Sequence, residues 1–265
     1  ELFGISWLMQ WLQNRQDKEQ RMKERIMKLN KLHIDIYADG ADIKGIIEMH
    51  DKDYISGFTT NPTLMKKAGV VSYTDFAKEM VEKISDMPIS FEVFSDEFET
   101  MKKEAIALAE YGKNVFVKIP ITNSKGESSV PLVKELSADG VNLNVTAIFT
   151  IEQVKSVLKV LSPGTENIIS VFAGRIADAG IDPELVMKET AALCRKIPGT
   201  KSLWASCREV FNIVQAERCG VDIVTVTNDL LDKAEKNLGK DLTQFSLETV
   251  RMFEEDSRKL GFSIL

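Results

Sequence analysis

From residue 33 onward, short apolar runs rich in β-branched and aromatic residues recur along the chain, each followed by a segment whose apolar residues fall three or four apart. The first kind of run predicts a buried strand and the second an amphipathic helix; their regular alternation predicts βα units and a parallel sheet. The predicted strands are 33–38 (HIDIYA), 55–59 (ISGFT), 88–94 (PISFEVF), 114–119 (NVFVKI), 142–148 (NLNVTAI), 167–172 (NIISVF), 201–206 (KSLWAS) and 221–226 (VDIVTV). Helical period is plain at Phe76, Met80, Val81 and Ile84, and again at Val154, Leu158 and Leu161, with charged residues on the other face. A last helix is expected at about 244–259. Eight strands, each followed by a helix, predict an α/β fold of the (β/α)8 TIM barrel class, which gathers its functional side chains at the carboxyl ends of the strands. No Gly-x-Gly-x-x-Gly follows the first strand and no Gly-Lys-Ser/Thr loop is present, so a doubly wound nucleotide-binding fold loses its main support. No internal repeat is visible either.

Residues 1–30 read differently. An apolar start, Leu2 to Leu12 with Trp7 and Trp11, gives way to a charged run from Asn14 to Lys28. Positive charge follows the apolar part instead of preceding it, unlike a signal peptide, and the apolar part is too short to span a bilayer. The expectation is a helical leader, either an amphipathic element that docks on a partner or surface or an accessory segment, with membrane contact not expected. Met27, just before the first strand, is a candidate start of the barrel proper. The domain reading is therefore a leader over 1–30 and one barrel domain over 31–265, since a barrel of this class commonly takes about 250 residues.

The composition, 44% hydrophobic and 28% charged with 15 Gly and 7 Pro, fits a soluble globular chain with a sizeable core. A net charge of -6 argues against a nucleic-acid footprint, so an anionic substrate would have to be held by a local cationic pocket. Cys194, Cys207 and Cys219 are odd in number and lack CxxC spacing, which points to neither a disulfide framework nor a zinc site and fits a cytoplasmic location. With only His33 and His50 present, no metal site is expected.

Several polar residues do not belong in a plain core. Lys118 lies between Val117 and Ile119 near the end of an apolar strand, and alternation puts it on the same face as Phe116. If that face is the barrel interior, the lysine sits where desolvation favours the neutral, nucleophilic form of an amine; if not, it is a lysine reaching out from a strand end. Asp39, Asn61, Glu92, Asn144, Thr146, Ser170 and Ser206 recur at or near other strand ends. Glu92 stands out because it is flanked by Phe91 and Val93, whereas Asp39 also reads as a helix N-cap. Arg175 and Arg208 follow strand ends and suit a phosphate, which a guanidinium grips through two donors; either alone also fits a surface salt bridge.

Residues 57–63 (GFTTNPT) resemble the transaldolase signature, and VFVKIP at 115–120 resembles that family's Schiff-base lysine strand. YADGAD at 37–42, SFEVF at 90–94, NVTAIF at 144–149, SVFAGRI at 170–176 and WASCR at 204–208 follow in the family's order, so the resemblance covers nearly all of 33–262. It implies Lys118 as nucleophile, Asp39 as acid and base for carbon–carbon cleavage, and Glu92 with Thr146 as holders of a catalytic water. Asn61, Thr59, Ser90, Asn144 and Ser170 would line a dihydroxyacetone pocket, and Arg175, Ser206 and Arg208 would hold the phosphate. The implied activity is transfer of a dihydroxyacetone unit from a ketose phosphate (sedoheptulose 7-phosphate or fructose 6-phosphate) to an aldose phosphate, as in the pentose phosphate pathway, with no cofactor or metal. Glu92 and Phe172 look like the transaldolase state, whereas the fructose-6-phosphate aldolase relative usually carries Gln and Tyr there. An aldolase, or an enzyme for an unusual or sulfonated sugar, is the nearest alternative; a silent sugar-phosphate-binding barrel is a distant one. The small subfamily's C-terminal helix engages a neighbouring subunit, which implies a homo-oligomer here. YADGAD departs from the family's more usual Leu-Asp-Thr type of ending to the first strand.

Overall fold

The computed structural model describes residues 28–262 and 264, so most of the predicted leader lies outside the described residues. Residues 32–232 form one compact unit, and residues 233–264 with the short 3-10 turn Leu29–Lys31 belong to a second.

The first unit is a closed barrel of eight parallel strands: β1 (Asp35–Asp39), β2 (Ile55–Thr59), β3 (Ile89–Glu92), β4 (Val115–Pro120), β5 (Leu143–Ile148), β6 (Asn167–Val171), β7 (Thr200–Trp204) and β8 (Ile223–Thr227). Each strand pairs with the next and β8 closes on β1, the (β/α)8 arrangement expected from the alternation. All eight fall within a few residues of their predicted places because a strand buried on both faces leaves a compact apolar run, which the helices between do not share. Helices are launched by side chains that accept from freed backbone N–H groups. Asp42 caps α1 (Ile43–His50), Asn61 caps α2 (Pro62–Ala68), Ser72 caps α3 (Tyr73–Lys83), and Thr150 with Gln153 forms a capping box on Ile151–Leu158.

Alternation divides the strand residues into two sets. Ile89, Phe91, Val117, Ile119, Val145, Ile169 and Val224 are essentially inaccessible, and they alternate with the interior set. Inside, the floor of the barrel is apolar: Tyr37, Phe116, Ile168, Leu203, Ala205 and Ile223 form one cluster, with Phe172 packed against it. Gly57 makes room for that floor, since a Cβ there would stand 2.6 Å from carbons of the Tyr37 ring, its register partner on β1. One pleat further along each strand the interior turns polar. The register sets Asp39 beside Thr59, Thr59 beside Ser90, Glu92 beside Lys118 and Lys118 beside Asn144.

The second unit is dominated by α4 (Leu242–Leu260), the predicted last helix. Asp241 caps its start and Gly261, at φ 65°, ends it in the left-handed conformation that glycine adopts without penalty. Leu242, Phe245, Leu247, Val250, Met252, Phe253 and Leu260 are all exposed in the single chain. Among the described residues no helix is long and apolar enough to cross a membrane.

Candidate active site

Above the apolar floor, at the carboxyl ends of the strands, lies a cavity of about 430 Å³. Asp39, Thr59, Asn61, Glu92, Lys118, Asn144, Thr146, Ser170, Phe172, Arg175, Ser206 and Arg208 all line it. Twelve of the thirteen predicted site residues thus converge from strands far apart in the chain. The thirteenth, Ser90, is fully buried and stands behind Asn144, accepting a hydrogen bond from Asn144 Nδ2 at 3.0 Å.

Lys118 is 6% exposed and points inward, on the same face as Phe116. Its amine is held from two sides, donating to the Thr60 carbonyl at 2.7 Å and pairing with Glu92 Oε2 at 3.0 Å. It is therefore an aimed, paired nitrogen, not a free one on a strand end. Glu92 is steadied in turn by the Tyr73 hydroxyl, which donates to the Glu92 carbonyl at 2.9 Å from the first turn of α3.

Asp39 ends β1 and faces the cavity, while the cap of the following helix is Asp42, whose side chain accepts from the Gly45 N–H at 2.9 Å. The alternative reading of Asp39 as an N-cap is thereby settled against. Burial holds the Asp39 carboxyl above the usual carboxylate range; the Lys118 charge and hydrogen bonds from Thr59 and Asn61 pull against that rise, and Glu92 adds to it. The Thr59 hydroxyl donates to Asp39 Oδ1 at 2.7 Å. Asn61 has two duties: its Oδ1 accepts from the Leu64 N–H at 3.0 Å as the cap of α2, which leaves the amide N–H groups for Asp39 and the cavity.

The opposite wall is equally ordered. Ser170 donates to Asn144 Oδ1 at 2.6 Å and Asn144 donates to Ser90, so Asn144 is fixed at both ends with one amide N–H to spare. Thr146 is 2% exposed, lines the cavity, and has a hydroxyl with no protein partner. A buried polar atom of that kind is a place for a water or a substrate atom. The next residue, Ala147, takes φ 57°, and the β5–β6 register shifts between Val145 and Ile148, so β5 bends where Thr146 enters the site.

At the mouth, the Arg175 guanidinium lies 5.4 Å from the centre of the Phe172 ring, and the Phe149 and Phe172 ring centres are 5.9 Å apart. Arg208 is paired with Asp178 at 2.8 Å. Ser206, at φ 66°, turns the chain left-handed just after β7 and sets Ser206, Cys207 and Arg208 along the rim. Gly174 is required opposite that turn, because a Cβ there would meet the Ser206 carbonyl oxygen at 1.6 Å. Two exposed cations and a hydroxyl on one rim suit an anionic group.

Cavity residues not anticipated from the sequence are Pro62, Thr63, Leu64, Leu203, Ala205, Cys207, Thr225 and Thr227. Thr225 and Thr227 had one signal, as polar members of an apolar strand on the same pleat as Ile223.

The sequence pattern of the family described as Transaldolase/Fructose-6-phosphate aldolase matches residues 36–264. A probable transaldolase of Nitrosopumilus maritimus is 33% identical over 219 residues, covering 80% of this chain and 91% of that one. One from Thermoanaerobacter is 34% identical over 86% of this chain and 99% of its own, and one from Caldicellulosiruptor saccharolyticus 35% identical over 78% and 92%. Among solved structures, one titled as KGPDC from Streptococcus mutans superposes with a TM-score of 0.50 at 10% identity, over 79% of this chain and 94% of that one, a likeness of fold alone.

Proposed function

Because the chain belongs to the transaldolase/fructose-6-phosphate aldolase family, we propose that it is a transaldolase that carries a dihydroxyacetone unit from a ketose phosphate to an aldose phosphate on Lys118. The observation that supports this most is the amine of Lys118, inside the barrel at 3.0 Å from Glu92, in a cavity whose facing wall carries Asp39.

The residues lend themselves to each step. Glu92 receives a proton from the Lys118 ammonium, and the freed amine attacks the ketose carbonyl. Loss of water gives the imine, with Glu92 and the unpartnered Thr146 hydroxyl holding the water that shuttles protons at that carbon. Asp39, as carboxylate, takes the proton from the hydroxyl on the far carbon of the bond that breaks, which becomes the carbonyl of the departing aldose. The bond's electrons move into the iminium, an aldose leaves, and a three-carbon enamine remains on Lys118. An acceptor aldose then runs the same steps backward, with Asp39 returning the proton.

Asn144, Ser170 and Asn61 offer donors and lone pairs to the short unit's hydroxyls, and Arg175, Ser206 and Arg208 hold the phosphate at the rim. Phe172 presents no hydroxyl near the enamine, which favours transfer over release of free dihydroxyacetone. The exposed apolar residues of α4 support a homo-oligomer built through the C-terminal helix, which a mass measurement in solution tests. Residue usage and function are consistent with a cytoplasmic enzyme.

The decisive experiment is borohydride trapping with fructose 6-phosphate followed by peptide mapping. A reduced adduct on Lys118 is expected. An adduct only with another ketose, such as a sulfonated one, moves the protein to a specialised substrate; none with any donor defeats the covalent scheme.

A further inference from the structure

The polar layer of the barrel contains a residue for which the steps above have no use. Thr225, on β8, is 6% exposed and opens onto the cavity one pleat below Thr227, the register partner of Asp39. Its Oγ1 lies 2.6 Å from Thr59 Oγ1. β8 and β2 flank β1 on opposite sides, so the two hydroxyls meet across the interior next to the strand that ends in Asp39.

The direction of donation follows from counting hydrogens. A threonine hydroxyl has one proton. Thr59 gives its proton to Asp39 Oδ1 at 2.7 Å, so the proton in the 2.6 Å contact comes from Thr225. The chain of donation runs from Thr225 to Thr59 to Asp39. When Asp39 takes up a proton the chain can turn about: the carboxylic O–H donates to Thr59, and Thr59 donates to Thr225. No heavy atom has to move. In the carboxylate state both hydroxyl protons are spent within the chain. In the acid state the Thr225 proton has no partner there, so the arrangement favours the carboxylate.

Resting on the transaldolase reading above, we propose that Thr225 is a positioning residue for Asp39, acting through Thr59 to hold the carboxylate in its basic state and to keep it hydrogen-bonded in both states of the cycle. Hydrogen bonds in a chain strengthen one another by about 10–30% per bond, so loss of the outer hydroxyl should be felt at Asp39 as a weaker Thr59 bond. The charged or titratable groups around Asp39 are Glu92 from β3, Lys118 from β4 and Cys207 beyond β7, with Asn61 as a further donor. All of these are retained when only Thr225 is changed.

The test is Thr225→Val beside Thr225→Ser. Valine preserves the branched shape that a strand favours, and serine preserves the hydroxyl. The Asp39 carboxyl is followed by carbon NMR with labelled aspartate, assigned with Asp39→Asn. Transfer rates from fructose 6-phosphate to an aldose phosphate are measured against pH, and borohydride trapping is run on the same samples. Asp39 works as a base, so activity is lost as pH falls through its pKa, and a higher pKa moves that limb to higher pH. In Thr225→Val the Asp39 midpoint and the acid limb should both rise by ~0.1–0.7 pH unit with trapping intact, while Thr225→Ser should overlay the parent. An Asp39 midpoint unmoved in Thr225→Val overturns the proposal, as does an activity loss that is uniform across pH. Failure of the parent protein to trap an adduct would instead defeat the Schiff-base reading, and the NMR midpoint would still decide whether Thr225 governs Asp39.

Discussion

Replacing Lys118 by methionine tests both the chemistry and the electrostatics of the site. Methionine keeps most of the side-chain volume, so no sizeable cavity opens above Phe116. What it removes is the cation that Glu92 meets at 3.0 Å and whose charge restrains the rise of the Asp39 carboxyl. Breaking a buried pair by deleting one partner typically costs about 3–5 kcal/mol. The Glu92 side chain is 16% exposed and borders an open cavity, so water recovers part of that loss and a cost of about 1–3 kcal/mol is expected. At roughly 2–4 °C per kcal/mol for a domain of this size, thermal unfolding at neutral pH should come about 2–12 °C earlier.

The pH dependence gives the sharper reading. Asp39 has its folded pKa raised, so the folded state binds more protons than the unfolded one between the two pKa values. Its penalty is absent below the unfolded value and complete above the folded one. Removing Lys118 lifts the folded value further, so the variant's deficit should shrink as pH falls from neutral toward 4 or so, the unfolded carboxylate value. The assays are calorimetry from acid to neutral pH and transfer of the three-carbon unit from fructose 6-phosphate, where turnover should vanish. Turnover that persists would refute the covalent role. A deficit that stays constant with pH, or a variant more stable than the parent at neutral pH, would refute the electrostatic account.

Three further outcomes are expected. Phe172→Tyr should raise the ratio of dihydroxyacetone released to unit transferred, measured by coupled assays of the two products; an unchanged ratio would mean that a hydroxyl at this wall cannot reach the enamine. Arg208→Ala should raise KM for phosphorylated donors about 10- to 100-fold, the worth of one or two charge-assisted hydrogen bonds, and leave unphosphorylated donors nearly unaffected. An equal effect on both would show that Arg208 serves its pair with Asp178 and not the substrate. Gly57→Ala should cost about 1–3 kcal/mol in denaturant unfolding, because the new methyl would sit 2.6 Å from the Tyr37 ring.

Strand order and which residues share a face were legible along the chain because both follow from short-range rules, whereas which face is the interior was left open at Lys118. A doubly buried strand is a compact apolar run, and its side chains alternate with period two, so Lys118 could be placed with Phe116 on sequence grounds. Arg175 was marked by its place after a strand end, Ser206 by its place at one, and Phe172 by the family resemblance.

What the chain alone did not show is who meets whom across the interior. Asn61 stands in the sequence as a pocket residue, and only the fold reveals that its carbonyl oxygen is committed to Leu64 as a helix cap while its amide N–H groups are free to serve Asp39. Ser90 looks like a wall residue but is shielded by Asn144, whereas Thr225, in an ordinary apolar strand, reaches Thr59. Gly57 owes its necessity to the Tyr37 ring and Gly174 to the Ser206 carbonyl, both remote in sequence. Alternation is a property of one strand, but these meetings depend on how eight strands are staggered when the sheet closes on itself. That stagger is set by packing and hydrogen bonding around the whole ring, so it belongs to the tertiary structure and to no single segment.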